Sequence, residues 1–294
     1  MDICLLTSFH SNHQRSSFIH RLAEEAQKHS ITLHLVNPSE LTLSIQNGKT
    51  EVSYHGKPLP RYDLTHYALR WDDNHTWQVV DVLKNLGYFT VPTQRMPLGD
   101  SITMARLFAK SGIRTPRTWV LANAGQLPMI LGELVFPCMF RMRRGQKGRG
   151  VVKVTHMGEA LSVAEQLASA GLGVIIQELL DPIGKDIRAL VVDGKVAAAV
   201  ERTAAHDYLR PAEDGNALVT VTTLSPAESK MVVDAARLYN APYAAINFLR
   251  NSGGPVLLEV SRAPVLTEIE RASGANIAAL IVEHLMNLAR KGKS

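Results

Sequence analysis

The chain has 294 residues, with 46% hydrophobic and 20% charged, which is the balance of a soluble globular protein large enough for two or three lobes. A net charge of +5 favours anionic ligands without requiring nucleic acid. No apolar run reaches the roughly 20 residues that span a bilayer, the acid in MDICLLTSF sets the start apart from a signal peptide, and no metal-ligand spacing surrounds the two cysteines.

Residues 2–7 (DICLLT) and 31–37 (ITLHLVN) read as strands on either side of a helix whose apolar positions are Phe18, Leu22, Ala23 and Ala26. That βαβ opening predicts a parallel sheet with a right-handed crossover. VSYHGKPLP then turns at HGK, YDLTHYAL supplies another strand, and residues 72–86 read as a helix. YFTVP closes a first lobe over residues 1–95. A helix at about 101–111 follows, stopped by Gly112 and kept from restarting by Pro116. Next, TWVLA, CMFRMR, GVVKVT and VIIQELL are strand-like, with helix-like runs at 124–134 and 158–170. A second strand set, DIRALVV, KVAAAVERT, YAAINFLR and PVLLEVSR, comes with helices at about 225–240 and 275–291. Cys4 and Cys138 both fall inside apolar strand-like runs, so they read as buried thiols of a reducing, cytoplasmic setting. His10, His13 and His20 are too scattered for a metal site and read as surface or capping residues.

The densest chemical signal is residues 141–150, RMRRGQKGRG, which carry five cations, three glycines and no acid between two apolar runs. Strands on both sides predict a hairpin with a flexible, positive turn. Gly145, Gly148 and Gly150 permit close backbone approach to a ligand, and the cations suit a polyanion. A phosphate-covering flap is one reading; a solvated basic turn, or one that touches RNA, is the other. Polar residues recur at the ends of apolar strands: Glu178 in VIIQE, Asp186 and Arg188 in DIRALVV, Arg202 in AAAVER, and Glu259 in PVLLE. Any one of them alone reads as a surface charge. Together they predict a cleft of mixed charge, in which cations hold phosphates and carboxylates hold a metal or the base and ribose of a nucleotide.

The colinear series MDICLLTS, GKPLPRYD, ARLFAKSGIRTP, GQKGRGVV, QELL, KDIRALVVDGKVAAAVER, LLEVSRAP and IERASGANIA resembles the ATP-grasp superfamily, specifically its RimK-like branch of glutamate ligases. The resemblance covers nearly the whole chain. It implies a mixed α/β and α+β fold: a Rossmann-like pre-ATP-grasp lobe, then an ATP-grasp domain over residues 96–294 whose lid spans about 117–180. It also implies an ATP- and Mg²⁺-dependent (or Mn²⁺-dependent) ligase that joins a carboxylate to an amine through an acyl-phosphate. The amine would be an amino acid such as glutamate, and the acceptor a peptide, a protein tail or a small carboxylate. By the same resemblance Arg141, Gln146, Lys147, Gly148 and Gly150 meet the phosphates, and Glu178 and Leu179 read adenine and ribose. Asp186 is a nucleotide-binding acid, Arg188, Arg202 and Arg210 are cations of the reacting centre, and Arg70 faces substrate. Glu259, with Asn247 and Ser261, forms the metal set, Glu259 being the carboxylate that bridges two ions. Homo-oligomers are frequent in such a family, and no membrane is involved.

Departures from the family pattern are as informative. Arg141 and Ser101 replace lysines, Asn247 replaces an aspartate, and Ser261 replaces an asparagine. The loop around Arg210 has lost an asparagine and an arginine, and residues 263–265 (APV) have gained bulk over a glycine turn. Arginine keeps the charge of lysine and binds phosphate bidentately, whereas serine removes a charge outright. Three functions therefore remain: a divergent ligase, a relative that binds nucleotide or a partner without ligating, and an RNA- or ribosome-binding protein. Against the last, no RNA-binding aromatic signature accompanies the basic run.

Overall fold

The computed structural model describes residues 1–7, 13–67, 74–92, 101–142, 151–204, 217–262 and 264–292. The first lobe opens β1 (Asp2–Leu6), α1 (His13–Lys28) and β2 (Thr32–Val36), with β1 and β2 parallel as the sequence predicts. β3 (Leu41–Gln46), β4 (Lys49–Tyr54) and β5 (Lys57–Pro58) form a separate antiparallel meander. Its two turns, Asn47-Gly48 and His55-Gly56, hold positive φ at both central residues, the geometry that matches strand twist and that glycine adopts without strain. The first turn and β3 were not anticipated, although NG between alternating apolar residues is a hairpin signal. β6 (Leu64–Tyr67), α2 (Asn74–Asn85) and β7 (Thr90–Val91) complete a four-stranded parallel sheet in the order β2-β1-β6-β7.

α3 (Ser101–Lys110) leads to a second sheet of β8 (Thr118–Leu121), β9 (Cys138–Met142), β10 (Val151–Val154) and β11 (Val174–Glu178), antiparallel in the order β10-β9-β11-β8. α4 (Met157–Ser169) covers it together with a 3₁₀ helix, Ala124–Glu133. That segment was expected to be an ordinary helix; Pro128 lacks the amide an α-helix needs there. This sheet has its own apolar core, built on Leu127, Cys138, Phe140, Val154 and Ile176. The third sheet is antiparallel, β14-β13-β12-β15-β16, from β12 (Lys185–Val192), β13 (Lys195–Thr203), β14 (Leu218–Val221), β15 (Tyr243–Asn251) and β16 (Gly254–Ser261).

α5 (Pro226–Leu238) starts at a reciprocal cap in which Ser225 and Glu228 satisfy each other's backbone amides. It packs on one face of the third sheet, where Val232 and Ala235 join Ile187, Ala189, Ile246 and Phe248. The opposite face meets α6 (Thr267–Ser273) and α7 (Ile277–Lys291) through Leu190, Val200, Ala245, Ile269 and Ile281. α6 was not foreseen; at seven residues it is too short to show a clear period. Both apolar clusters continue into the first lobe, through Leu6 and Tyr67 in one and Ile3, Leu5 and Leu64 in the other. His66 joins the two across the boundary: its Nδ1 donates to the Val91 carbonyl at 3.0 Å, and its Nε2 accepts from the Tyr243 hydroxyl at 2.8 Å. No described helix is long and apolar enough to cross a membrane.

Candidate functional site

The strands that flank the basic turn pair as predicted. β9 and β10 pair antiparallel with Arg141 opposite Val151, and β9 also pairs with β11. Strand alternation turns Cys138 and Phe140 into the core of this sheet and leaves Met139 and Arg141 together on the other face. The turn itself, with Gln146, Lys147, Gly148 and Gly150, lies outside the described residues, as do Arg70 and Arg210. Ser101 opens α3.

A cleft forms where β11 leaves the second sheet and the chain crosses to β12. Glu178, Leu179, Leu180 and Pro182 make its hinge side, with Pro116 and Met139 from the second sheet. Lys185, Asp186, Leu249 and Leu258 close it from the third sheet. Apolar walls beside a run of main chain suit a flat heteroaromatic ring, whose polar edge the backbone reads. The sequence singled out Glu178, Leu179 and Asp186 here but missed Met139, Leu249 and Leu258. Leu258 reaches this place because the β15–β16 register slips between Asn247 and Phe248, a bulge with no distinct sequence signal. Glu178 is held at the hinge by Arg117: its amide donates to the Arg117 carbonyl at 3.0 Å, and its Oε2 accepts the Arg117 amide at 3.2 Å.

The remaining predicted residues converge on one face of the third sheet. Asp186 lies opposite Arg202, Arg188 opposite Asn247, and Asn247 opposite Glu259, while Ser261 follows two residues on. Alternation therefore puts Asp186, Arg188, Arg202, Asn247, Glu259 and Ser261 on the face whose other end is the apolar cluster with α6 and α7. Arg202 and Asp186, only 2% and 5% exposed, form a bidentate pair, Nε to Oδ1 at 2.8 Å and Nη2 to Oδ2 at 2.6 Å. Each thus neutralises the other, and the acid assigned to nucleotide is already engaged by the arginine assigned to the reacting centre. Arg188 donates from Nε to the Asn247 carbonyl oxygen at 3.1 Å, and its Nη1 lies 3.9 Å from Glu268 Oε2. Asn247 in turn directs its amide nitrogen at Glu259 Oε2, 3.5 Å away. Glu268, from the unforeseen α6, was missed by the sequence reading; its Oε1 is buried with no hydrogen-bond partner among the described residues.

Among the described residues, no three His, Cys, Asp or Glu side chains gather where they could hold a metal by themselves. Glu259 is the one carboxylate of the expected set, with the Ser261 hydroxyl on the same face. That set fits a hard divalent cation only if phosphate oxygens complete its shell, which is how Mg²⁺ is ordinarily carried with a nucleotide. Neither cysteine offers a nucleophile: burial pushes the Cys4 thiol up to about 12 and the Cys138 thiol up to about 11.

A hinge cleft between two antiparallel sheets, with a polar sheet face beside it, is the arrangement of an ATP-grasp protein. The chain superposes on an ATP-grasp ligase, PsnB complexed with a minimal precursor, with a TM-score of 0.72 at 18% identity, covering 97% of this chain and 98% of that one. The D-alanine–D-alanine ligase of Bacillus anthracis complexed with ATP gives 0.68 at 19% identity over 99% and 98% of the two chains. A family model described as the RimK-like ATP-grasp domain matches residues 99–285, and the chain belongs to that family. A Marinomonas sp. (strain MWYL1) protein named "Probable alpha-L-glutamate ligase" is 26% identical over 283 residues, 92% of this chain and 91% of that protein.

Proposed function

We propose that this protein is an ATP-dependent carboxylate–amine ligase that acts through an acyl-phosphate, with an amino acid such as glutamate as the amine. The observation that carries this reading is the shared sheet face, on which Arg188, Asn247 and Glu259 meet beside the hinge cleft. The adenine ring would enter between Met139, Leu249 and Leu258, and the backbone at Leu179 would read its edge. Arg141, on the same face of its sheet as Met139, would hold phosphate oxygens from the lid side. Glu259, with Ser261, would hold Mg²⁺ against the phosphates, and the bound ion would supply neutralising positive charge there.

The acceptor carboxylate attacks the γ-phosphorus, a P–O bond forms and ADP departs. The amine, having released a proton to solvent, then attacks the acyl carbon, and the C–O bond to phosphate breaks. Arg188 faces this centre with a guanidinium already oriented by Asn247, so it stabilises growing negative charge without reorganising. No covalent enzyme intermediate is required. Phosphate release from ATP that depends on both glutamate and an acidic acceptor peptide is the test. Release without the amine, or none with any amino acid and peptide, would contradict ligation. The second outcome combined with tight ATP binding would support the non-ligating relative, a reading favoured by the engagement of both Asp186 oxygens with Arg202.

A further inference from the structure

Asn247 stands where the proposed metal site needs an anionic oxygen, and its surroundings fix how it is used. Arg188 offers only donors and Glu259, when ionised, only acceptors, so one orientation of the amide satisfies both: carbonyl to Arg188, nitrogen to Glu259. Arg188 and Asn247 are 3% and 7% exposed, and strand pairing places them directly opposite each other. Both side chains therefore lie packed on one face of the sheet rather than in solvent. A cation bound on the Asn247 side of Glu259 would face an N–H group rather than a lone pair. It would also lie beside the buried Arg188 guanidinium, whose Nη1 is 3.9 Å from Glu268 Oε2.

We infer that this site takes one divalent ion, on Glu259 and the phosphates, and that Arg188, held through Asn247, supplies the positive charge where a second ion would otherwise sit. The inference rests on the ligase reading, since the phosphates complete the ion's shell. It concerns only how this chain's residues meet the metal. It also makes metal binding conditional on nucleotide, because no described cluster of acids holds a metal alone.

The test is the stoichiometry of Mn²⁺ with a non-hydrolysable ATP analogue, read from the free-ion signal in electron paramagnetic resonance. One Mn²⁺ per chain is expected for the unaltered protein, and none without the analogue. Asn247→Asp, which exchanges the N–H donor for an anionic oxygen, should raise the number to two. Two ions in the unaltered protein, or a coupled two-ion spectrum, would overturn the inference while leaving the nucleotide reading intact. Calorimetry with the analogue in EDTA separates the two ideas. Binding that persists there with one Mn²⁺ on titration supports the inference, whereas no binding in either EDTA or Mn²⁺ overturns the nucleotide reading itself. The unaltered protein decides the matter even if the variant does not fold.

Discussion

Asp186 and Arg202 carry the largest electrostatic stake of any single pair in the site, because both are buried and bonded through two contacts. Removing either leaves the other charged and almost fully buried. Asp186→Ala is therefore expected to destabilise the fold by about 3–5 kcal/mol, measured by chemical denaturation. Replacing both residues together by leucine should cost clearly less than the sum of the two single changes. Glu259 is a different case: it is half-buried, and its proposed role is toward ion and phosphate. Glu259→Gln preserves shape while removing the charge, so denaturation should be nearly unchanged. Phosphate release should fall by about 10²- to 10³-fold, the usual scale for losing one preorganised electrostatic contact. A fall in stability with activity retained would reverse the roles given to these two acids.

At the scale of elements, the sequence disclosed most of what positions the site. The βαβ opening, the β9–β10 hairpin and the four long runs of the third sheet all follow from apolar alternation bounded by turn residues. The polar ends of β11, β12, β13 and β16 were legible too, because a charge at the end of an apolar run stands out. Their mutual geometry was not. Which residue lies opposite which is fixed by register, and the slip that delivers Leu258 to the cleft follows from packing between β15 and β16. Nor did composition reveal that Asp186 would spend its carboxylate on Arg202, or that α6 would bring Glu268 to Arg188. The site is also braced by α5. Arg250 on β15 donates to Glu228 Oε1 at 2.7 Å, and Glu228 is the capping acid of that helix, held below the usual carboxylate range mainly by Arg250. Ser225→Ala should loosen this start and lower stability by about 1 kcal/mol, detectable as a reduced denaturation midpoint.

Across the whole molecule, the first lobe and the third sheet share apolar cores and are joined by the His66–Tyr243 hydrogen bond. Burial holds the His66 imidazole down at about 3, so it stays neutral in the folded protein at every ordinary pH. Above about pH 6.5, the unperturbed histidine value, neither state carries the proton and His66 adds no pH dependence. Below it the unfolded chain binds a proton that the folded one refuses, so stability falls with pH by up to about 1.4 kcal/mol per unit until the folded value is reached. His66→Phe should flatten that part of a stability profile, and an unchanged slope would place the acid sensitivity elsewhere. The hinge cleft between the second and third sheets is where the proposed function begins, with nucleotide binding. Calorimetric titration with ATP measures it most directly: one nucleotide per chain is expected, with binding abolished by Leu258→Trp, which fills the cleft without touching a charge. No heat of binding at millimolar ATP, or binding indifferent to Leu258→Trp, would contradict it.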